Sequence, residues 1–156
     1  MTEQEMKRLA EQVVGRLTEG MTLQLANALI EKVMAKAAEI GVNAVVAVSD
    51  AAAHPVSVQC MDGAYIASYD VAVNKAYTVV ALKMPTTALK ELAAPGGSLY
   101  GIQFTNGGKI VIFGGGVPLY DKEGRLIGGL GVSGGSEGQD TGLAEFGGQI
   151  LKTLLQ

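Results

Sequence analysis

The chain has 156 residues, 48% of them hydrophobic and only 17% charged, with a net charge of −3 and no run of Lys or Arg. That length fits one domain with a real core, and that charge excludes electrostatic docking on nucleic acid or an acidic membrane surface. Tryptophan is absent and aromatics are 5%, which excludes base-stacking platforms.

Cys60 is the single cysteine, so no intrachain disulfide can form and a reducing compartment is expected. No apolar run approaches the roughly 20 residues that span a bilayer. The first residues lack a charged-then-apolar export pattern, so a soluble, cytoplasmic protein is expected. So few charges on a chain of this size predict surface hidden against other copies, hence a homo-oligomer.

In chain order, residues 4–18 predict a charged helix with Met6, Leu9, Val13 and Leu17 on one face, broken by Gly20. Thr22 is the predicted N-cap of a second helix that buries Leu23, Ala26, Ile30, Val33, Ala37 and Ile40, spaced 3-4-3-4-3. Gly41 ends it. The period then changes. Ala44–Ser49 reads as a buried strand and Val56–Cys60 as its hairpin partner, joined through Asp50–Pro55.

Residues 66–83 return to helical spacing, with Ile66, Tyr69, Val73, Tyr77 and Val80 as one stripe and a narrow polar strip of Asp70, Asn74 and Thr78, with Lys75 beside it. Pro85 stops this helix, and Thr86 or Thr87 caps a short one running to Leu92. Residues 94–108 form a long loop carrying Leu99, Tyr100, Ile102 and Phe104, of the kind that serves function or reaches a neighbour. Three strands are predicted next: Lys109–Phe113, Val117–Tyr120 and Arg125–Ser133. Ser136-Glu137-Gly138-Gln139 is a capping box opening a terminal helix to about Leu154. Hairpin-joined strands imply an antiparallel sheet, so the class is α+β, a five-stranded antiparallel sheet flanked by helices in one domain, 1–156, with 1–20 as a helical extension.

Eighteen of the 22 glycines follow Leu92, and Gly114-Gly115-Gly116 stands before Val117-Pro118. Three glycines at a strand start ask for a special backbone shape. It is either a strained connection or a cavity wall presenting N–H groups to a ligand. Gly129-Leu130-Gly131-Val132-Ser133-Gly134 matches a dinucleotide fingerprint literally, but a single helix remains after it and the required βαβ unit cannot be built. Lys109 follows two glycines, yet Ile110 stands where a phosphate loop needs Ser or Thr. One His and one Cys cannot make a structural zinc site within a subunit. His54 stands at a hairpin tip before Pro55, where an exposed turn residue is the plain reading. Lys75 on an apolar helix calls for an acidic partner, with Asp50, Asp62 and Asp70 as candidates, for an anionic ligand, or for snorkelling at the helix edge.

The segments Val46-Ala47-Val48-Ser49-Asp50, Met61-Asp62-Gly63, Ser68-x-Asp70-x-Ala72-x-x-Lys75-Ala76, Phe113-Gly114-Gly115-Gly116-Val117-Pro118-Leu119 and Gly128–Gln139-Asp140 together resemble the GlcG/HbpS haem-binding proteins. That family includes the C-terminal domain of PduO-type corrinoid adenosyltransferases. The resemblance runs from about Thr22 to Leu155. Pro95–Gly101 and Thr105-Asn106 further resemble the subgroup found with glycerol and propanediol utilisation, often beside bacterial microcompartments.

The resemblance implies a profilin-like sheet, assembly into dimers or rings up to octamers, and a role in haem or, less so, corrinoid handling. The adenosyltransferase domain that precedes the PduO module is absent from this sequence, so adenosyl transfer is not expected. Where the family has Asp-x-Gly-Gly/His-x, this chain has Asp50-Ala51-Ala52-Ala53-His54, which changes the loop at the pocket mouth. A haem iron can be held by a single axial His. The first reading is therefore a haem-binding accessory protein. His54 is the axial ligand, Lys75 pairs with a propionate, Asp62 lies at the site, and Gly114, Gly115 and Gly116 let the macrocycle approach. The second is a cofactor-free oligomeric scaffold docking on a dehydratase, reactivase or microcompartment shell through Leu99, Tyr100, Ile102 and Phe104. The third is an enzyme acting on a small anionic metabolite at Lys75, Asp62 and Asp70.

Overall fold

The computed structural model describes the backbone of residues 1–18 and 20–156 and the side chains outside 15–19; Leu17, the last position of the predicted first stripe, lies outside the described side chains. Four strands form one antiparallel sheet in the order β2-β1-β4-β3. They are β1 (Val45–Asp50), β2 (Pro55–Cys60), β3 (Gly116–Tyr120) and β4 (Leu126–Ser133). Hairpins join β1 to β2 and β3 to β4. The central pair is β1 against β4, with Val45 opposite Ser133 and Asp50 opposite Gly128. Around the sheet lie α1 (Glu3–Thr18), α2 (Leu23–Glu39), α3 (Ile66–Ala81), α4 (Thr86–Ala93) and α5 (Glu137–Leu154). No helix among the described residues is long and apolar enough to cross a membrane.

The α+β class is as predicted, but with four strands instead of five. Residues 109–113 form no ladder, and the middle of the segment bonds to α3 instead. Val111 N–H donates to Thr78 Oγ1 at 3.0 Å, and the single proton of that hydroxyl is shared between the carbonyls of Asn74 at 2.7 Å and Lys109 at 3.2 Å. One residue on, Gly114 N–H donates to Glu137 Oε1 at 3.0 Å. Backbone groups tied to helix side chains are not available to a neighbouring strand.

Successive strand side chains point to opposite faces. Val46, Val48, Leu130 and Val132 face α2 and α5, where Leu29, Ile30, Val33, Leu143, Ala144 and Leu151 complete the main core. Burying each large aliphatic side chain there contributes about 1.5–3 kcal/mol. The predicted second-helix face is right at Ala26, Ile30, Val33 and Ala37, whereas Leu23 and Ile40 are exposed and Leu29 is buried in their stead. Thr22 caps α2 by accepting from Leu25 N–H at 3.1 Å, and the Ser136–Gln139 capping box opens α5. By contrast α4 is entered through Pro85 with no side-chain cap. Thr86 is instead buried, its hydroxyl accepting from Gly116 N–H at 3.0 Å.

The opposite face of the sheet is where the predicted stripe fails in part. Val45 and Ala47 meet Ala72 and Ala76 of α3. A Cβ at Gly129 or Gly131 would run into the carbonyl oxygens of Ala76 and Ala72. Bare backbone on β4 therefore lets α3 lie almost directly on the sheet. Only small residues fit directly over the glycines, so Ala72 and Ala76 lie there, and α3 also buries Ser68, Lys75, Thr78, Val79 and Val80. Of the predicted stripe, Val80 is buried and Val73 and Tyr77 are half-buried, while Ile66, 98% exposed, and Tyr69 turn away. On α1, Met6, Leu9 and Val13 are also exposed.

Candidate functional site

The sheet brings chemistry to two places. At one end, the β1–β2 and β3–β4 turns lie side by side, because Asp50 pairs with Gly128 just inside the second turn. The two turns use the same device. Asp50 Oδ1 accepts from the N–H groups of Ala52 and His54 at 2.9 and 3.0 Å, and Asp121 Oδ1 accepts from those of Glu123 and Arg125 at 3.0 and 2.9 Å. Such aspartate-anchored turns hold a short loop without glycine at every position. Ala53 nonetheless adopts φ of +63°, in the left-handed region that favours glycine.

His54 is 78% exposed at its side chain, with Nδ1 3.7 Å from Asp50 Oδ2. Arg125 Nε donates to Asp121 Oδ2 at 2.8 Å. Burial raises the Asp121 carboxyl, but the N–H and guanidinium of Arg125 outweigh it and hold the carboxyl below the usual carboxylate range. Asp50, Ala51, Ala52, Asp121 and Arg125 border a cavity of about 430 Å³.

The other place lies under α3 and against the start of α5. Lys75 is fully buried; its Nζ donates to the Val132 carbonyl at 2.7 Å, sits 3.6 Å from Asp140 Oδ2 and lies 5.0 Å from the centre of the Phe113 ring. Its acidic partner is thus Asp140, not Asp50, Asp62 or Asp70; Asp62 and Asp70 are exposed and do not converge with it. Burial pulls the Lys75 ammonium below the ordinary lysine value, against the opposing charges of Asp140 and Glu137. Burial also raises the Asp140 carboxyl, against the Gly135 and Gly134 N–H groups and the lysine. Both members of the pair therefore give up hydration to meet. Beside them, Lys90 Nζ reaches Glu137 at 2.7 Å and, with the Gly114 N–H, depresses the Glu137 carboxyl.

The three-glycine bend belongs to this second place. Gly115 has φ of +115°, and a Cβ there would press on Lys75 Nζ and the Val132 carbonyl. At Gly114 it would meet Thr141, and at Gly116 it would meet Thr86, Val79 and Lys75. The bend is packed by protein side chains on these sides, and its glycines are what let Lys75 reach Val132. Gly128, opposite Asp50, and Val132, bonded to Lys75, are four residues apart on β4, or about 13 Å along a strand. The expected site residues therefore divide. Lys75, Gly114, Gly115 and Gly116 come together, while His54 stands at the far end and Asp62 in the exposed turn before α3.

Sequence reasoning missed Asp140, Glu137, Asp121 and Arg125. Asp140 had a signal: it shares the buried face of α5 with Leu143, Ala144, Gly147 and Leu151. An acid on an apolar stripe implies a buried cation opposite. Among the described residues, no three or more His, Cys, Asp or Glu side chains are grouped to hold a metal ion.

Comparison with known proteins places this architecture. An uncharacterised 15.0 kDa protein from the dhaT-dhaS intergenic region of Citrobacter freundii is 45% identical over 80% of this chain and 87% of its own length. The corrinoid adenosyltransferase PduO of the same organism is 38% identical over 80% of this chain, which spans only 37% of that protein. The crystal structure of a PduOC:heme complex superposes with a TM-score of 0.79 at 35% identity, over 83% of this chain and 94% of that one. The family model described as haem degrading protein HbpS-like matches residues 21–148. With that match over most of its length, the chain belongs to the HbpS-like family.

Proposed function

We propose that this protein is a haem-binding accessory protein that works as a homo-oligomer, linked to cobalamin-dependent diol or glycerol utilisation. The observation that carries the reading is the likeness, at 35% identity, to a structure with haem bound, taken with an exposed imidazole in the turn whose residues Asp50, Ala51 and Ala52 line a cavity. The donor set at the hairpin end fits. Asp50 Oδ2 lies 3.7 Å from Nδ1 of the exposed His54 ring, too long for a hydrogen bond but close enough to favour a cationic or metal-bound partner, and Nε2 would be the nitrogen that meets iron. Haem bound there would supply a redox-active iron. The chain's own residues would hold it: His54 by its ring, Asp50 by its charge beside that ring, and Arg125 by a guanidinium at the cavity rim.

Lys75 and Gly114–Gly116 take a supporting part in this reading, since the lysine is already satisfied inside the protomer. Asp62, exposed in the turn before α3 at the other end of the sheet, has no part in it. A cavity of about 430 Å³ is at the small end for a cofactor pocket, so a second protomer completes it. The exposed Ile66, Tyr65 and Tyr69 of the α3 face, with Phe104 on the neighbouring loop, offer the apolar surface such an assembly buries. The gene region named for the Citrobacter freundii relative supports the metabolic link. A place inside a microcompartment belongs to the same reading.

Haem titration followed by Soret absorbance tests it. The wild type should bind saturably, and His54→Ala should weaken binding at least tenfold and shift the band. An unchanged spectrum in the variant removes His54 from the role, and no binding in either removes the function. A second reading, a cofactor-free scaffold docking on a dehydratase, reactivase or shell, draws on Tyr100 and Phe104, both exposed on the long loop. Co-purification with a dehydratase and no Soret band after haem supplementation would favour it.

A further inference from the structure

The Lys75–Asp140 pair has an open side. Between the start of α3 and the start of α5 lies a cleft of about 330 Å³, walled by Tyr65, Val71 and Phe113 and floored by Ser68, Ser133 and Asp140. Its three floor residues are each more than nine-tenths buried. This cleft is separate from the hairpin-end cavity that holds the haem proposal, since the two share no lining residue.

The floor has bonding capacity to spare. Ser133 Oγ and Ser68 Oγ are 3.2 Å apart and share one hydrogen bond. Two hydroxyls bring two protons, so one proton is left over, and among the described residues these hydroxyls make no second hydrogen bond. Asp140 Oδ1 accepts only from Gly135 N–H, at 2.8 Å, while Oδ2 takes Gly134 N–H and Lys75. A carboxylate oxygen accepting one hydrogen bond has room for a second. The floor therefore offers a donor and an acceptor side by side, and buried groups of this kind are costly to leave unmet.

The charges around the cleft are already balanced. Asp140 is matched by Lys75, and Glu137 by Lys90 at 2.7 Å. An ion entering would lose its hydration and find no unmatched opposite charge. A hydroxyl group both donates and accepts, which is the complement of the floor, and an alkyl chain complements the Tyr65, Val71 and Phe113 walls. We propose that this cleft is a binding site for a small uncharged alcohol or polyol, its hydroxyls on Ser68, Ser133 and Asp140 and its carbon chain against the aromatic walls.

Saturation-transfer NMR with the purified full chain, using 1,2-butanediol as the probe, tests the assignment. Butyrate and butylammonium of equal carbon count serve as the anionic and cationic controls. Saturable transfer is expected for the diol alone, and Ser68→Ala with Ser133→Ala should weaken it by roughly fivefold or more. Both substitutions are small, and thermal unfolding of the variant should match wild type closely enough to confirm folding. A second variant, Val71→Phe, fills the cleft from a half-buried wall position and should abolish the transfer while leaving the serines intact. Equal transfer in both variants overturns the site. Tighter binding of either ion than of the diol overturns the ligand class.

Discussion

The two ends of the sheet handle charge in opposite ways. At the hairpin end, His54 and Arg125 are exposed at their side chains and tied to the aspartates of their own turns. At the other end, Lys75 and Asp140 are almost wholly buried and come from different helices. A local exposed pair contributes little to stability and leaves its groups available to a ligand. A long-range buried pair holds helices together and leaves little for a ligand to take except at its open side. The contrast separates a turn histidine left open to a ligand from a lysine inside the fold that its own acidic partner explains.

The largest effect should come from the surface on which α3 rests. Gly131→Ala would drive a methyl group into the Ala72 carbonyl, and because backbone must move on both sides the cost should be at least about 3 kcal/mol in urea unfolding. A cost below about 1 kcal/mol would mean that α3 does not sit so close to β4. Next comes the buried pair. Lys75→Met strands the Asp140 carboxyl and should cost about 3–5 kcal/mol. Lys75→Met combined with Asp140→Leu should recover most of that loss, because removing both ions removes the hydration penalty as well. At the opposite end Arg125→Ala should fall within the scatter of the same measurement. Equal effects at the two ends would break the comparison.

Acid stability sharpens it further. The Glu137 and Asp121 carboxyls are both depressed in the folded chain, so the unfolded chain binds protons more readily there. The stability they add is present above the ordinary carboxylate range and is lost as pH falls from that range through the depressed values. Lys90→Ala removes the leading cause of the Glu137 shift and should flatten the acid-side slope, read from unfolding midpoints across pH 3–6. An unchanged slope would assign the acid sensitivity elsewhere. Smallest of all is deletion of residues 1–18, whose Met6, Leu9 and Val13 are exposed. The body should unfold within about 0.5 kcal/mol of the full chain.

Much of this was legible in sequence where local rules decide. The Thr22 cap, the Ser136 box, both hairpins and the class of the fold follow from short-range chemistry. What failed depended on a partner distant in the chain. The α3 stripe was misassigned at Ile66 and Tyr69 because periodicity favours large residues for the core, while the β4 glycines take Ala72 and Ala76 directly over them. Residues 109–113 looked like a strand because the Thr78 hydroxyl that satisfies their backbone lies 31 to 33 residues away. The partner of Lys75 was missed for the same reason, although Asp140 on the α5 stripe was the available clue. His54 and its neighbour Asp50, four residues apart in one turn, needed no tertiary information to be noticed.

Cys60 closes the edge strand β2 and is exposed, the single thiol of the chain. A maleimide-linked fluorophore or nitroxide will therefore attach once per polypeptide, with no prior removal of competing sites. Cys60 ends β2 opposite Val45, about 20 Å along the strand from the turn that carries His54, so a label there leaves that turn clear, and label-to-label distances would count and arrange the copies in any ring.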